Sequence, residues 1–217
     1  MTLIVAVIPE LNSGQALTNS PTAGWRIALA LFYYVLRTFM LKILTAPHPV
    51  LTKKSKPISD FGPKTKDFCR QLSETLLSCQ NPTGVGLAAP QVGKNWQVFV
   101  ISLPGEKPTV FINPKIVSHP QKKTFFLIEN EKGQKGEPFL EGCLSLPKIF
   151  GAVKRWPKIK VEFFNPAGKK QKAEFNNLAA IVFQHEYDHL QGILFTQRII
   201  KEGGEVFQEK NGQLEKI

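Results

Sequence analysis

The stretch that decides the fold is Asn177 to Gly192, NLAAIVFQHEYDHLQG. Asn176 or Asn177 is placed to cap a helix that runs to about Leu190, with Gly192 just beyond its end. The run Leu178, Ala179, Ala180, Ile181, Val182 and Phe183 makes that helix a buried one. His185 and His189 stand one turn apart, so both imidazoles project from one face, about 6 Å apart along the axis. That arrangement suits two ligands of one small cation, with Glu186 placed to handle a proton on water. Unrelated metallopeptidases share HExxH, and a core helix with two incidental histidines is the plainer alternative. Two imidazoles do not fill a tetrahedral site, so a metal reading needs a third ligand from elsewhere.

Outward from this helix the chain reads as short strands. Ile159–Phe164 and Lys172–Phe175 flank Asn165-Pro166-Ala167-Gly168, a hairpin signal. Trp96–Leu103 and Thr109–Val117 are rich in β-branched and aromatic residues and predict strands. Phe68, Cys69, Leu72, Leu76 and Cys79 recur near helical spacing, predicting an amphipathic helix over Lys66–Cys79 that Asn81-Pro82-Thr83-Gly84 stops. Asn211-Gly212 predicts a turn between Val206–Gln208 and Gln213–Ile217. The fold class is therefore α+β, with short antiparallel strands packed around the HExxH helix.

Two further segments carry chemistry. Cys143 lies in Glu141-Gly142-Cys143-Leu144-Ser145-Leu146-Pro147, where a glycine lets backbone approach a partner closely. A lone cysteine is more often a small buried hydrophobe. Gly84-Val85-Gly86-Leu87-Ala88-Ala89-Pro90-Gln91 is glycine-rich, but no GK[ST] follows, and the order of elements is wrong for a dinucleotide loop.

Bulk properties bound the function. The 217 residues suit one compact domain after residue 39, and three cysteines exclude a disulfide framework. The formal net charge of +11 comes from scattered lysines, without a basic helix or aromatic-basic ladder, so specific DNA binding is not expected. A well-solvated basic surface or attraction to a polyanion such as the ribosome both fit that charge. Residues 1–39 read differently, with Glu10, Arg26 and Arg37 as their charged groups. Ten residues such as their apolar run Ile27–Leu36 would span about 15 Å as a helix, half of a hydrocarbon core of roughly 30 Å. A weak anchor, a leader and translation upstream of a start at Met40 are the readings; the last is preferred, and a membrane location is not expected.

Together GxGLAAxQ (Gly84–Gln91), EGCLS (Glu141–Ser145) and QHExDH (Gln184–His189) resemble the peptide deformylase family, in the family's own order. The resemblance runs from about Met40 to Phe195, and Lys42–Leu51, Ile112-Asn113-Pro114 and Leu190-Gln191-Gly192 agree with it. It implies a catalytic domain over residues 40–217 that removes the formyl group from the initiator methionine of nascent chains in the bacterial cytoplasm. It implies one divalent metal on Cys143, His185 and His189, ferrous iron first, with nickel, cobalt or zinc as substitutes. It implies Glu186 as the general base, and the Gln91 side-chain amide and Leu144 N–H as oxyanion donors. Gly84, Val85 and Gly86 would pair with the peptide backbone, while Leu178, Ile181 and Val182 would hold the methionine side chain. Glu141 and Arg155 are read as an ion pair bracing the Cys143 segment.

The chain departs from the family pattern at Gln121–Pro138, which reads as a variable insertion, and at Phe150, where many relatives carry a polar or basic residue. Its terminal hairpin replaces the long final helix of one branch. A peptide-bond-cleaving HExxH enzyme would take its third ligand from Glu202, Glu205 or Glu209. A non-catalytic module would close its metal site with four protein ligands.

Overall fold

The computed structural model describes residues 40–80, 82–129 and 135–217. The readings of residues 1–39, and of Asn81 as part of a helix stop, lie outside them. In chain order the strands are β1 (Gly86–Ala88), β2 (Val98–Ile101), β3 (Thr109–Ser118), β4 (Leu127–Glu129), β5 (Lys135–Pro138), β6 (Leu140–Cys143) and β7 (Leu146–Ala152). They continue as β8 (Lys158–Phe164), β9 (Lys170–Asn176), β10 (Val206–Lys210) and β11 (Gln213–Lys216). The helices are α1 (Pro63–Ser78), α2 (Asn177–Leu190) and α3 (Phe195–Lys201). This is the α+β architecture read from the sequence, with antiparallel sheets ordered β1-β2-β3-β8-β9 and β11-β10-β7-β6 and a β4-β5 ribbon.

The larger sheet is covered on both faces, which explains the continuous apolar run of β2. Successive strand side chains point to opposite faces. Val98 and Val100 pack with Leu72 and Leu76 of α1, while Phe99 and Ile101 face the core of α2. On that second face Phe183 of α2 meets Phe99 at 5.0 Å and Phe111 at 5.3 Å, both nearly perpendicular. Phe111 also lies 4.5 Å from Phe163, so α2 is seated on a cluster of aromatic rings.

Element boundaries differ from the reading where turn chemistry intervenes. α1 starts at Pro63, because proline is pre-organised for the first helical turn. The expected Trp96–Leu103 strand shortens to β2: Trp96 N–H bonds Lys94 O, and Leu103 O accepts from Glu106 N–H in a turn. β3 is broken by a register shift around Asn113, whose side chain holds both backbone groups of Ile58. Asn176 occupies the cap of α2, yet its side chain makes no capping bond, because the helix opens directly out of β9. Asn211 and Gly212 both have positive φ, as a tight hairpin turn requires. Gly192 also has positive φ, and a Cβ there would sit 2.6 Å from Thr52 O.

Removing the ring of Phe111 would leave a cavity between the sheet and α2. Phe111→Ala is expected to destabilise the protein by about 3–5 kcal/mol, measured by urea unfolding.

Candidate active site

β6 and β7 form a hairpin whose turn is Leu144–Ser145, so Cys143 is the last residue of its strand. That turn faces α2. The ligand atoms of Cys143, His185 and His189 all lie within 4.8 Å of one another. Cys143 Sγ is 3.3 Å from His189 Nε2. Burial alone would raise the Cys143 thiol, but the charge and hydrogen bonds of His189 and His185 hold it down at about 5. A thiolate is the form that ligates metals. The alternative third ligands are engaged elsewhere: Glu205 pairs with Lys216 and Glu209 with Lys148. Among the described residues Glu202 joins no Cys/His cluster.

Glu186 sits beside this trio, buried, with Oε2 lacking any hydrogen-bond partner. Burial pushes its carboxyl up to about 7, against the opposing charges of His185 and His189. A carboxylate poised near neutral pH suits a proton-transfer group. Gly86 explains the glycine-rich segment, since a Cβ there would fall 2.3 Å from Glu186 Oε1. Gln91, in the 3₁₀ turn Ala89–Val92, is held through Oε1 by the Ala88 N–H at 2.8 Å. Its Nε2 then donates to Ser145 Oγ at 3.2 Å and approaches Cys143 Sγ at 3.5 Å.

Residues 40–204 match the family model described as Polypeptide deformylase. The chain belongs to the peptide deformylase family. It is 41% identical over 158 residues to Peptide deformylase 1 of Vibrio vulnificus, covering 72% of this chain and 84% of that one. Against the chloroplastic Peptide deformylase 1B of Solanum lycopersicum it is 34% identical over 180 residues, covering 81% of this chain and 59% of the other. The crystal structure of peptide deformylase from Thermotoga maritima superposes with a TM-score of 0.63 at 36% identity, covering 73% of this chain and 97% of that one.

In this family member Cys143 and His185 open on a cavity of about 340 Å³, with His189 buried behind them; its lining also includes Gly84, Val85, Gly86, Gln91, Leu144, Ile181, Val182 and Glu186. Leu178 is not on that lining. One turn before Val182, it has passed the end of the cavity and packs against the aromatic core instead. Phe150 lines the cavity from β7. Within the expected insertion, Phe125 is exposed under Lys154, Phe126 packs near Phe139, and Leu127 pairs with Pro138 across β4-β5.

Behind the trio runs a buried ionic chain. His185 Nδ1–H donates to Glu141 Oε2 at 2.8 Å, which turns Nε2 toward Cys143 and His189. Arg155 clamps both oxygens of Glu141 at 2.8 Å and also bonds Asp188, which Arg198 holds from its other side. The Glu141–Arg155 pair was legible in the sequence. Asp188 and Arg198 were not assigned roles, although Asp188 stands three residues after His185 on the same helix.

Burial would raise the Glu141 carboxyl, but Arg155 and His185 hold it down to about 2, below its ordinary 4.5. A depressed carboxyl contributes stability that is full above about 4.5 and is lost as pH falls toward about 2. Glu141→Gln should therefore be less stable than wild type at pH 7, with the gap narrowing at pH 3. Denaturant titrations of metal-free protein at both pH values check this.

Proposed function

We propose that this chain hydrolyses the formyl amide of N-terminal formylmethionine on nascent polypeptides, releasing formate, with Glu186 as its proton-transfer residue. The observation that carries the reading is the unpartnered, buried Glu186 Oε2 beside Cys143, His185 and His189 at the wall of a largely apolar cavity. One thiolate and two imidazoles suit a borderline-soft divalent ion. We assign that place to ferrous iron, with nickel, cobalt and zinc as substitutes. When bound, such an ion supplies Lewis acidity that makes a water nucleophilic at neutral pH.

The chain's own residues do the rest. Glu186 takes the proton of the attacking water and returns it to the leaving amine. The Gln91 amide and the Leu144 N–H donate to the oxygen on which charge develops. β1 is an edge strand of its sheet, and Gly84 and Val85 lead into it at Gly86, so these three residues can take the substrate backbone as an added strand. Ile181 and Val182 offer the methionine side chain an apolar wall, which Leu178 supports from behind. We place the reaction in the bacterial cytoplasm, where a net charge of +11 favours approach to the ribosome. Among the described residues no helix is long and apolar enough to cross a membrane.

Two rivals are less well supported. A peptidase using Glu205 or Glu209 as third ligand is disfavoured because, among the described residues, neither carboxylate joins the Cys143, His185 and His189 cluster. A structural metal site would need a fourth protein ligand, and among the described residues the cluster has three.

Formate release from formyl-Met-Ala-Ala by anaerobic, iron- or nickel-loaded protein tests the reading, with unformylated peptide as control. Glu186→Gln should lower kcat by about 100- to 10,000-fold while its metal content, read by mass spectrometry, is unchanged. Cys143→Ala should instead emerge without metal. Peptide-bond cleavage without formate would replace the deformylase reading with the peptidase.

A further inference from the structure

The family match ends at residue 204, yet Glu209 on β10 lines the same cavity as Cys143 and Glu186. Away from the metal end, Lys148 and Glu209 are the charged side chains on that lining. Both are placed by distinct local devices. Across the β6-β7 hairpin Gly142 pairs with Phe150 and Cys143 with Leu146, so Pro147–Ile149 form a bulge without partners on β6. Lys148 in that bulge has φ +65, a conformation lysine seldom adopts. Bulges of this kind re-aim side chains beside active sites. Glu209 is fixed from the other direction, because the Gly212 N–H of the β10-β11 turn donates to its Oε1 at 3.0 Å.

The two charges meet loosely. Lys148 Nζ lies 3.5 Å from Glu209 Oε2, and its side chain is 64% exposed against 31% for Glu209. Exposed pairs of this sort hold their partners weakly. Glu209 is tethered by backbone, whereas Lys148 is free to swing into solvent. We infer that Glu209 is a specificity-determining residue, favouring lysine or arginine downstream of the formylmethionine. This rests on the deformylase reading. An incoming cation displaces Lys148 and takes the anchored carboxylate, while an acidic side chain meets Glu209 and depends on Lys148 alone. The long-range field of a +11 chain favours acidic peptides, so a basic preference would report the local carboxylate.

The test compares kcat/KM for formyl-Met-Lys-Lys and formyl-Met-Glu-Glu, using nickel-loaded wild type, Glu209→Gln and Glu209→Lys. Calorimetric binding of the products Met-Lys-Lys and Met-Glu-Glu runs alongside. The wild-type preference for the lysine peptide should fall about threefold in Glu209→Gln and invert in Glu209→Lys, the size expected for one partly exposed pair. Should the Glu209 variants fail to fold, Lys148→Met is expected to raise the preference by removing the competitor. A ratio unmoved by these substitutions, or a wild-type preference for the glutamate peptide, overturns the inference. Absence of formate from every peptide would instead defeat the deformylase reading, and product binding would still report on Glu209.

Discussion

Arg155 is buried between two carboxylates that belong to different parts of the fold, Glu141 on β6 and Asp188 on α2. A guanidinium stripped of water is costly unless its nitrogens find acceptors, and here each of the three does, through one bidentate and one single contact. The carboxylates carry the reverse obligation, so neither element can shift without exposing a charge. Through Glu141 the same chain fixes the tautomer of His185, since a carboxylate accepts and Nδ1 must donate. Of the trio, His185 is thus oriented directly by the ionic chain behind it, while the same chain ties together the two elements, β6 and α2, that carry Cys143 and His189.

A second constraint comes from space. Glu186 is pressed against backbone at Gly86, where any side chain would collide with the carboxylate. The glycine lets the helix approach closely enough to desolvate Glu186. Desolvation is what raises that carboxyl to about 7, so packing and proton affinity have one cause. The aromatic seat of Phe183 on Phe99 and Phe111 holds α2 at this distance.

What could be read from the sequence followed from periodicity and spacing. The α2 segment announced itself by an apolar run and an i, i+4 histidine pair, and β2 by its β-branched residues. Cys143 stood out from its own segment as a candidate, but its place as a ligand and the role of Gln91 came through resemblance, because nothing local to either residue says which partner it meets 40 or more positions away. What the sequence left open has a common origin. Leu178 shares a helical face with Ile181 and Val182, but angular position says nothing about where along the axis a cavity ends. Asn176 has capping chemistry, but its backbone was already committed to β9. Asp188 looked like one more polar residue in a polar half-helix, since its partners Arg155 and Arg198 come from other elements.

The terminal hairpin shows how such a fold admits variation without touching its chemistry. β10 pairs with β7 through Val206–Gln208, extending the sheet that carries Cys143, and the Asn211-Gly212 turn then fixes Glu209 beside the cavity. No ionic bond among those described links this hairpin to Arg155, Asp188 or the ligand trio. A change at Glu209 therefore alters what the cavity meets at its rim while the buried charges at its base keep their partners. The bulge at Lys148 completes the separation, because it takes up the strand irregularity between the Leu144–Ser145 turn and the rim. Rigid chemistry at one end and adjustable charge at the other follow from where the chain places its buried and its exposed ion pairs.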